Sequence, residues 1–208
     1  ILSLSLENKI DIAIYRAGLT VNARSSIFSK KIAPIQVNFL GYQGTTGQEG
    51  IDYIVADEYV IPQNQENFYT EKIIYLPGSY FPRDNNRIIG KKKFTRNELK
   101  ISENSFVFCN FNNSYKITLE EFEIWMKLLQ KIDNSILLLL ETNNEMKKNL
   151  YFEAEKFKIN DDRIVFLKKT IFEDHLSRHY LADLFLDTFN YNAHTTAVDA
   201  LWTGLPII

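Results

Sequence analysis

A chain of 208 residues with 24 Lys+Arg against 26 Asp+Glu carries a formal net charge of −2, without the basic excess typical of nucleic-acid binding. The hydrophobic share of 45%, beside 24% charged, is that of a globular chain with a real core, and the length allows one large domain or parts of two. The lone Cys109 excludes a disulfide framework and a structural zinc site and points to a reducing, cytoplasmic compartment; the longest apolar stretch, Ile136–Leu140, is far short of the ~20 residues a membrane span needs.

The chain opens at Ile1 rather than an initiator Met and stops at Ile208 within the apolar run Leu205-Pro206-Ile207-Ile208, so it reads as a piece of a longer protein. Short runs rich in Ile, Val and Tyr predict strands over Ile10–Tyr15, Ile35–Leu40, Tyr53–Ala56 and Ile73–Leu76. From Pro77 to Lys100 apolar residues thin out around Pro82, Gly90 and the basic run Lys91–Lys93, which reads as a crossing between domains with a solvated charge run. Beyond it, strands and helices alternate. Phe106–Phe111 is strand-like. Thr118 with Glu121 three residues on is a capping box, opening a helix with Phe122, Trp125, Leu128, Leu129 and Ile132 on one face. A strand over Ile136–Leu140, a polar helix over about 144–157 and a strand over Arg163–Leu167 follow. Thr170 with Glu173 predicts a second capping box and a helix to about Tyr180, Leu184–Asp187 a strand, and Thr196 with Asp199 the start of a helix over Ala197–Thr203. The strands are continuously apolar, as in a parallel sheet buried on both faces, and repeated β-α units make a doubly wound α/β fold. The expected division is a domain over 1–85, a linker over 86–104 and a second domain over 105–208.

Three places could carry chemistry. Gly41-Tyr42-Gln43-Gly44-Thr45-Thr46-Gly47 follows a predicted strand, and its glycines allow a sharp turn and a close backbone approach, without the spacing of the dinucleotide fingerprint. Asn192-Ala193-His194-Thr195-Thr196 lies beyond a strand end and leads into a helix, where free amides, the positive dipole end and threonine hydroxyls suit a phosphate; alternatively, Thr196 only caps the helix. Lys116 follows another strand of the same expected sheet and so falls near the same edge, where a cation could neutralise a phosphate or a leaving group, or could simply be a surface lysine. His175 and Arg178 share a helix face three residues apart, with a solvated face as the competing reading. No metal site is expected: Asp-x-Asp is absent, and His175 and His179, four apart, have no third ligand.

Taken in order, these stretches resemble the catalytic region of the O-GlcNAc transferases, glycosyltransferase family 41. The matching segments are Ala33-Pro34-Ile35-Gln36-Val37, Leu40-Gly41-Tyr42 with Gly44-Thr45 and Gly47, and Asp52-Tyr53-Ile54. They continue through Cys109-Asn110-Phe111-Asn112-Asn113, Tyr115-Lys116-Ile117, Glu173, His175 and Arg178, and Leu181-Ala182-Asp183. The last are Leu186-Asp187-Thr188, His194-Thr195-Thr196, Asp199, Leu201-Trp202, Gly204 and Pro206. The resemblance implies a GT-B fold of two Rossmann-like domains, of which this chain would hold the later part of the first (acceptor-side) domain and most of the second, the UDP-sugar-binding one. It also implies an inverting transfer, independent of metal or cofactor, of N-acetylglucosamine from UDP-GlcNAc to Ser or Thr hydroxyls of proteins.

By position in the motifs, Lys116 would stabilise the departing UDP. His194, Thr195 and Thr196 would cradle the diphosphate, and Asp199 would hold the ribose hydroxyls. Arg178 and the loop at Thr170 would contact uracil with His175 close by, and Leu40 and Gly41 would line the acceptor side. Asn113 stands where the family often has Gln, which implies a shorter or water-mediated phosphate contact, and Phe172 replaces a lysine, removing one ribose contact. The insert between the domains of animal members is absent. The catalytic base and the tetratricopeptide repeats that select substrates would lie upstream of Ile1 and the family's final segment beyond Ile208, so the piece alone is expected to be inactive. Two alternatives stay open: a Spindly-type protein O-fucosyltransferase using GDP-fucose, which typically lacks the histidine matched by His194 (a glucosyl donor being a lesser option), and a non-catalytic nucleotide-sugar-binding or interaction module.

Overall fold

The computed structural model describes residues 1–208, which form two compact units, Ile1–Asn85 and Asn86–Ile208. The first begins with helix α1 (Leu2–Glu7), an element the sequence did not announce. It closes with a Schellman motif: Lys9 turns left-handed at φ 49°, and the Ile10 N–H reaches back to the Ser5 carbonyl at 3.1 Å. That bond takes Ile10 out of the predicted strand, so β1 spans Ile12–Tyr15. The short helix α2 (Ser25–Phe28) leads to β2 (Ile35–Asn38), and β3 (Tyr53–Ala56) and β4 (Lys72–Tyr75) complete a parallel sheet in the order β1-β2-β3-β4. Strand β2 stops two residues short of expectation because Leu40 takes φ 88° and turns the chain out of the sheet. Ile54, Ala56 and Ile61 form this unit's small fully buried centre.

The second unit is a β-α repeat. It runs through β5 (Phe106–Asn110), α3 (Leu119–Lys131), β6 (Ser135–Leu140), α4 (Asn144–Lys156), β7 (Ile164–Leu167), α5 (Phe172–Ser177), β8 (Leu184–Phe185) and α6 (Thr195–Trp202). Its parallel sheet has the order β7-β6-β5-β8, and Phe185 pairs on with Ile207 beyond β8. The unbroken apolar strands are explained by burial on both faces. Val107, Cys109 and Leu138 enter one cluster with Phe111, Phe185 and Ala200, whereas Phe108, Leu137 and Leu139 enter the other with Phe122, Trp125, Met126 and Leu129. Each fully buried leucine of β6 contributes about 1.5–3 kcal/mol of transfer free energy.

Three sequence expectations are corrected. Residues 86–104 are not a linker: Ile101 is buried in the second unit's core, with Phe94 and Leu99 packed against it. Arg96 ties that segment to the Leu181 and Ser105 carbonyls and to Asp183. Thr170 caps nothing, because α5 starts at Phe172 after Ile171 and tightens into a 3₁₀ turn over Arg178–Leu181. Nor do Thr196 and Asp199 make a capping box: α6 starts earlier, at Thr195, and both side chains have other partners. The first box does form where its carboxylate was expected, with the Thr118 N–H donating to Glu121 at 2.9 Å.

Candidate functional site

The carboxyl ends of β5 and β8 are tied together by asparagines. The Asn110 side chain donates to the Leu186 carbonyl at 2.6 Å and accepts from the Asn112 N–H at 3.1 Å. Asn112, buried, in turn donates to Asp187 at 3.2 Å and accepts the Thr196 hydroxyl at 2.5 Å. Asp187 also accepts the N–H groups of Thr188 and Ala193, each at 2.8 Å, which fixes the course of the loop from β8 to α6. A second carboxylate does the same, Glu121 accepting the Phe189 N–H at 2.9 Å.

Lys116 closes the 3₁₀ turn Ser114–Lys116 that follows β5. Its ammonium donates to the Asn192 carbonyl at 3.0 Å and lies 4.3 Å from the centre of the Tyr191 ring. Lys116 and the start of α6 are therefore brought together at one sheet edge. The contacts are a carbonyl and a ring, neither of them anionic. Burial lowers the lysine pKa below its ordinary value, with Asp187 pulling the other way.

Helix α5 and its 3₁₀ extension supply the second wall. Phe111, just past β5, places its ring 5.4 Å from that of His175 and 5.0 Å from that of His179. Burial, then His179, then Arg178 push the His175 pKa down to about 4. Burial also lowers that of His179, against hydrogen bonds to the His175 and Leu176 carbonyls at 3.1 Å each. Nδ1–H is therefore the donor in a neutral ring, and Nε2 is left as a buried lone pair without a partner. Arg178 is buried as well, against the solvated-face reading; its guanidinium lies 5.6 Å from the Phe94 ring centre, and Nη1 has no hydrogen-bond partner.

The remaining expected residues divide. His194 is the N-cap residue of α6, and both it and Thr195 are exposed. Thr196 offers its main-chain N–H but not its hydroxyl hydrogen, which is spent on Asn112. Asp199, buried one turn into α6, is ion-paired with Arg87, a partner no motif predicted. Asn113 and Thr170 are exposed in the loops after β5 and β7. Leu40 and Gly41 belong to the first unit. There a Cβ on Gly41 would stand 2.0 Å from the Arg16 carbonyl oxygen, and one on Gly44 would stand 2.7 Å from the Tyr42 hydroxyl, while Gly47 takes φ 64°. The loop is pinned by buried Glu71, which accepts the Thr45 hydroxyl and the Thr46 N–H, each at 2.7 Å. Burial alone would raise the Glu71 pKa, and the bonds from Thr46 and Thr45 outweigh it.

The sequence profile of Glycosyl transferase family 41 matches residues 5–94 and 92–208. The chain belongs to that family. Family 41 relatives include the probable UDP-N-acetylglucosamine–peptide N-acetylglucosaminyltransferase SEC of Arabidopsis thaliana, 38% identical over 209 residues that take in 97% of this chain and 21% of SEC. The probable enzyme of the same description named SPINDLY, from the same plant, is 28% identical across all of this chain and 23% of its own length. Among solved structures, a mutant of the Thermobaculum terrenum O-GlcNAc transferase superposes on the whole chain with a TM-score of 0.87 at 26% identity, this chain covering 39% of it. An Anabaena protein in complex with UDP and glucose shares the fold, with a TM-score of 0.62 at 14% identity over 99% of this chain and 60% of that one. The fold is thus GT-B type, with two Rossmann-like units, and this family 41 chain spans about a fifth of the plant relatives' length. Sequence reasoning missed Arg87, Asn112, Asp187 and Glu121 as organisers of this candidate site. The signals were that Asn112 and Asp187 stand in matched motifs just beyond strands β5 and β8 and that Glu121 sits in a capping box; nothing local marks Arg87.

Proposed function

We propose that this chain carries the nucleotide-sugar site of a protein O-GlcNAc transferase, which moves N-acetylglucosamine from UDP-GlcNAc to Ser or Thr hydroxyls with inversion and without a metal or other cofactor. The observation that carries the reading is Lys116, a partly buried cation with no anion in contact, at the same sheet edge as the opening turn of α6. As the sugar–phosphate bond breaks, negative charge builds on the departing UDP. An ammonium and helix-end amides already in place favour that state over the ground state. An arriving diphosphate would also reverse the depression of the lysine pKa, so binding and protonation reinforce each other.

In this reading the amides of His194, Thr195 and Thr196 hold the diphosphate, and Asn113 approaches it from the β5 side. Asp199 takes the ribose hydroxyls. Arg178 and the Thr170 loop meet uracil, with neutral His175 beside them. Leu40 and Gly41 belong to the acceptor side. Both plant relatives are described as UDP-N-acetylglucosamine transferases, which supports UDP-GlcNAc over the GDP-fucose alternative, as does His194 at the start of α6. Calorimetric titration with UDP and with GDP tests the reading. UDP should bind, more tightly than GDP and unchanged by EDTA, and Lys116→Ala should weaken it. Preference for GDP would move the assignment to fucosyl transfer, and dependence on a divalent cation would refute the metal-free mechanism.

A further inference from the structure

Arg87 has a geometry that its place in an irregular segment does not explain. Its side chain is 7% exposed, one nitrogen is paired with the equally buried carboxylate of Asp199, and the other, Nη1, is buried with no hydrogen-bond partner. The guanidinium is steered between two rings, 5.0 Å from the centre of Phe172 and 5.9 Å from that of Trp202. Three residues on, the Gly90 N–H donates to the Glu173 carbonyl at 2.8 Å. A Cβ on Gly90 would lie 2.8 Å from that same carbonyl and from the Asp174 carboxylate, so only glycine lets the segment lie this close to α5. Asp199 lies three and four residues beyond Thr196 and Thr195 on α6, and so under the helix's opening turn, the end that favours anions.

A buried guanidinium has five fixed donors and no means of losing its charge, so an unmet nitrogen pointing nowhere is a poor end state. We infer that Arg87 is a further donor-binding residue of this site, one arm of its fork orienting Asp199 and the other hydrogen-bonding a phosphate oxygen of a nucleoside diphosphate. The inference rests on the nucleotide-sugar reading above and adds a cation which that reading did not contain. It makes the segment 86–104 part of the site.

The test is a double-mutant cycle by calorimetry on this chain with UDP, using wild type, Arg87→Met, Asp199→Asn and the pair. If Arg87 bonds the nucleotide directly, Arg87→Met weakens UDP about tenfold or more even in the Asp199→Asn background. Equal affinity of the double variant and Asp199→Asn alone would overturn the direct contact. The double variant removes both charges together, so it leaves no unpaired carboxylate to unfold the unit. Arg87→Lys serves as the second probe: a point cation cannot engage both partners in a planar fork, so it should lose UDP affinity at an unchanged melting temperature. UDP binding by wild type with both Arg87 variants unaffected refutes this inference alone, whereas no UDP binding by wild type refutes the nucleotide reading and Arg87's role with it.

Discussion

Glu121 offers the sharpest test of how the site is held. The carboxylate is 1% exposed and divides itself between two backbone donors: one oxygen takes the Thr118 N–H that opens α3, the other the Phe189 N–H in the loop leading to α6, both at 2.9 Å. Glu121→Gln keeps the shape but turns one acceptor into an NH₂ group that must face an N–H. One charge-assisted bond is lost and one buried donor is left unmet, a cost of about 1.5–3 kcal/mol. In a chain of this size that lowers the melting temperature by roughly 4–10 °C, read by circular dichroism. Because the Phe189 bond anchors the loop that carries Tyr191 and Asn192, the contacts of Lys116, the same variant should also weaken UDP binding several-fold. Thr118→Ala supplies the control, since it removes a buried hydroxyl that has no hydrogen-bond partner and leaves both Glu121 bonds in place. Glu121→Gln that melts earlier yet binds UDP like wild type would refute the claim that this carboxylate positions the site, and an unchanged melting temperature would refute the energetics.

Two further outcomes follow from the geometry. The His175 pKa is depressed from 6.5 to about 4, so the unfolded chain binds the proton that the folded chain refuses. The stability this represents is present above about pH 6.5 and is lost as pH falls toward about 4, by at most roughly 3 kcal/mol. Urea unfolding at pH 7 and pH 5 should show that loss, and His175→Phe should remove part of it; a His175→Phe variant with the full wild-type pH slope would assign the effect elsewhere. Gly41→Ala puts a Cβ 2.0 Å from the Arg16 carbonyl oxygen, a clash with main chain that no rotamer relieves. It should destabilise the first unit by about 2 kcal/mol or more, measurable by denaturant unfolding, and a neutral result would mean that the loop can shift.

What the sequence disclosed, and what it hid, follows from how far each interaction reaches along the chain. Strand β6 was legible from Ile136-Leu137-Leu138-Leu139-Leu140, because burial on both faces leaves an unbroken apolar run. Helix α3 was legible because its capping residues are three apart. The nearness of Lys116 to the start of α6 followed from the rule that parallel strands gather their following loops at one edge. Helix α1 was not, since Leu2-Ser3-Leu4-Ser5-Leu6 alternates as a strand would and only the Schellman exit defines it. The capping residue at Thr170 misled because α5 starts only at Phe172, and that at Thr196 because a hydroxyl takes the best partner the fold presents, here Asn112, 84 residues away. Arg87 was invisible for the same reason: its carboxylate lies 112 residues downstream, and nothing local marks an arginine that will be buried.

The stacking of Arg87 on Trp202 also gives the molecule a built-in optical probe. The chain has two tryptophans, and they stand in opposite surroundings: Trp125 is buried in the core on the inner face of α3, while Trp202 is 38% exposed with a guanidinium 5.9 Å from its ring centre. Trp125 emission should therefore follow unfolding, and Trp202 emission should follow any movement of the charge beside it. With Trp125 replaced by Phe, the tryptophan fluorescence of an unlabelled chain would report the surroundings of Trp202, the Arg87 guanidinium among them.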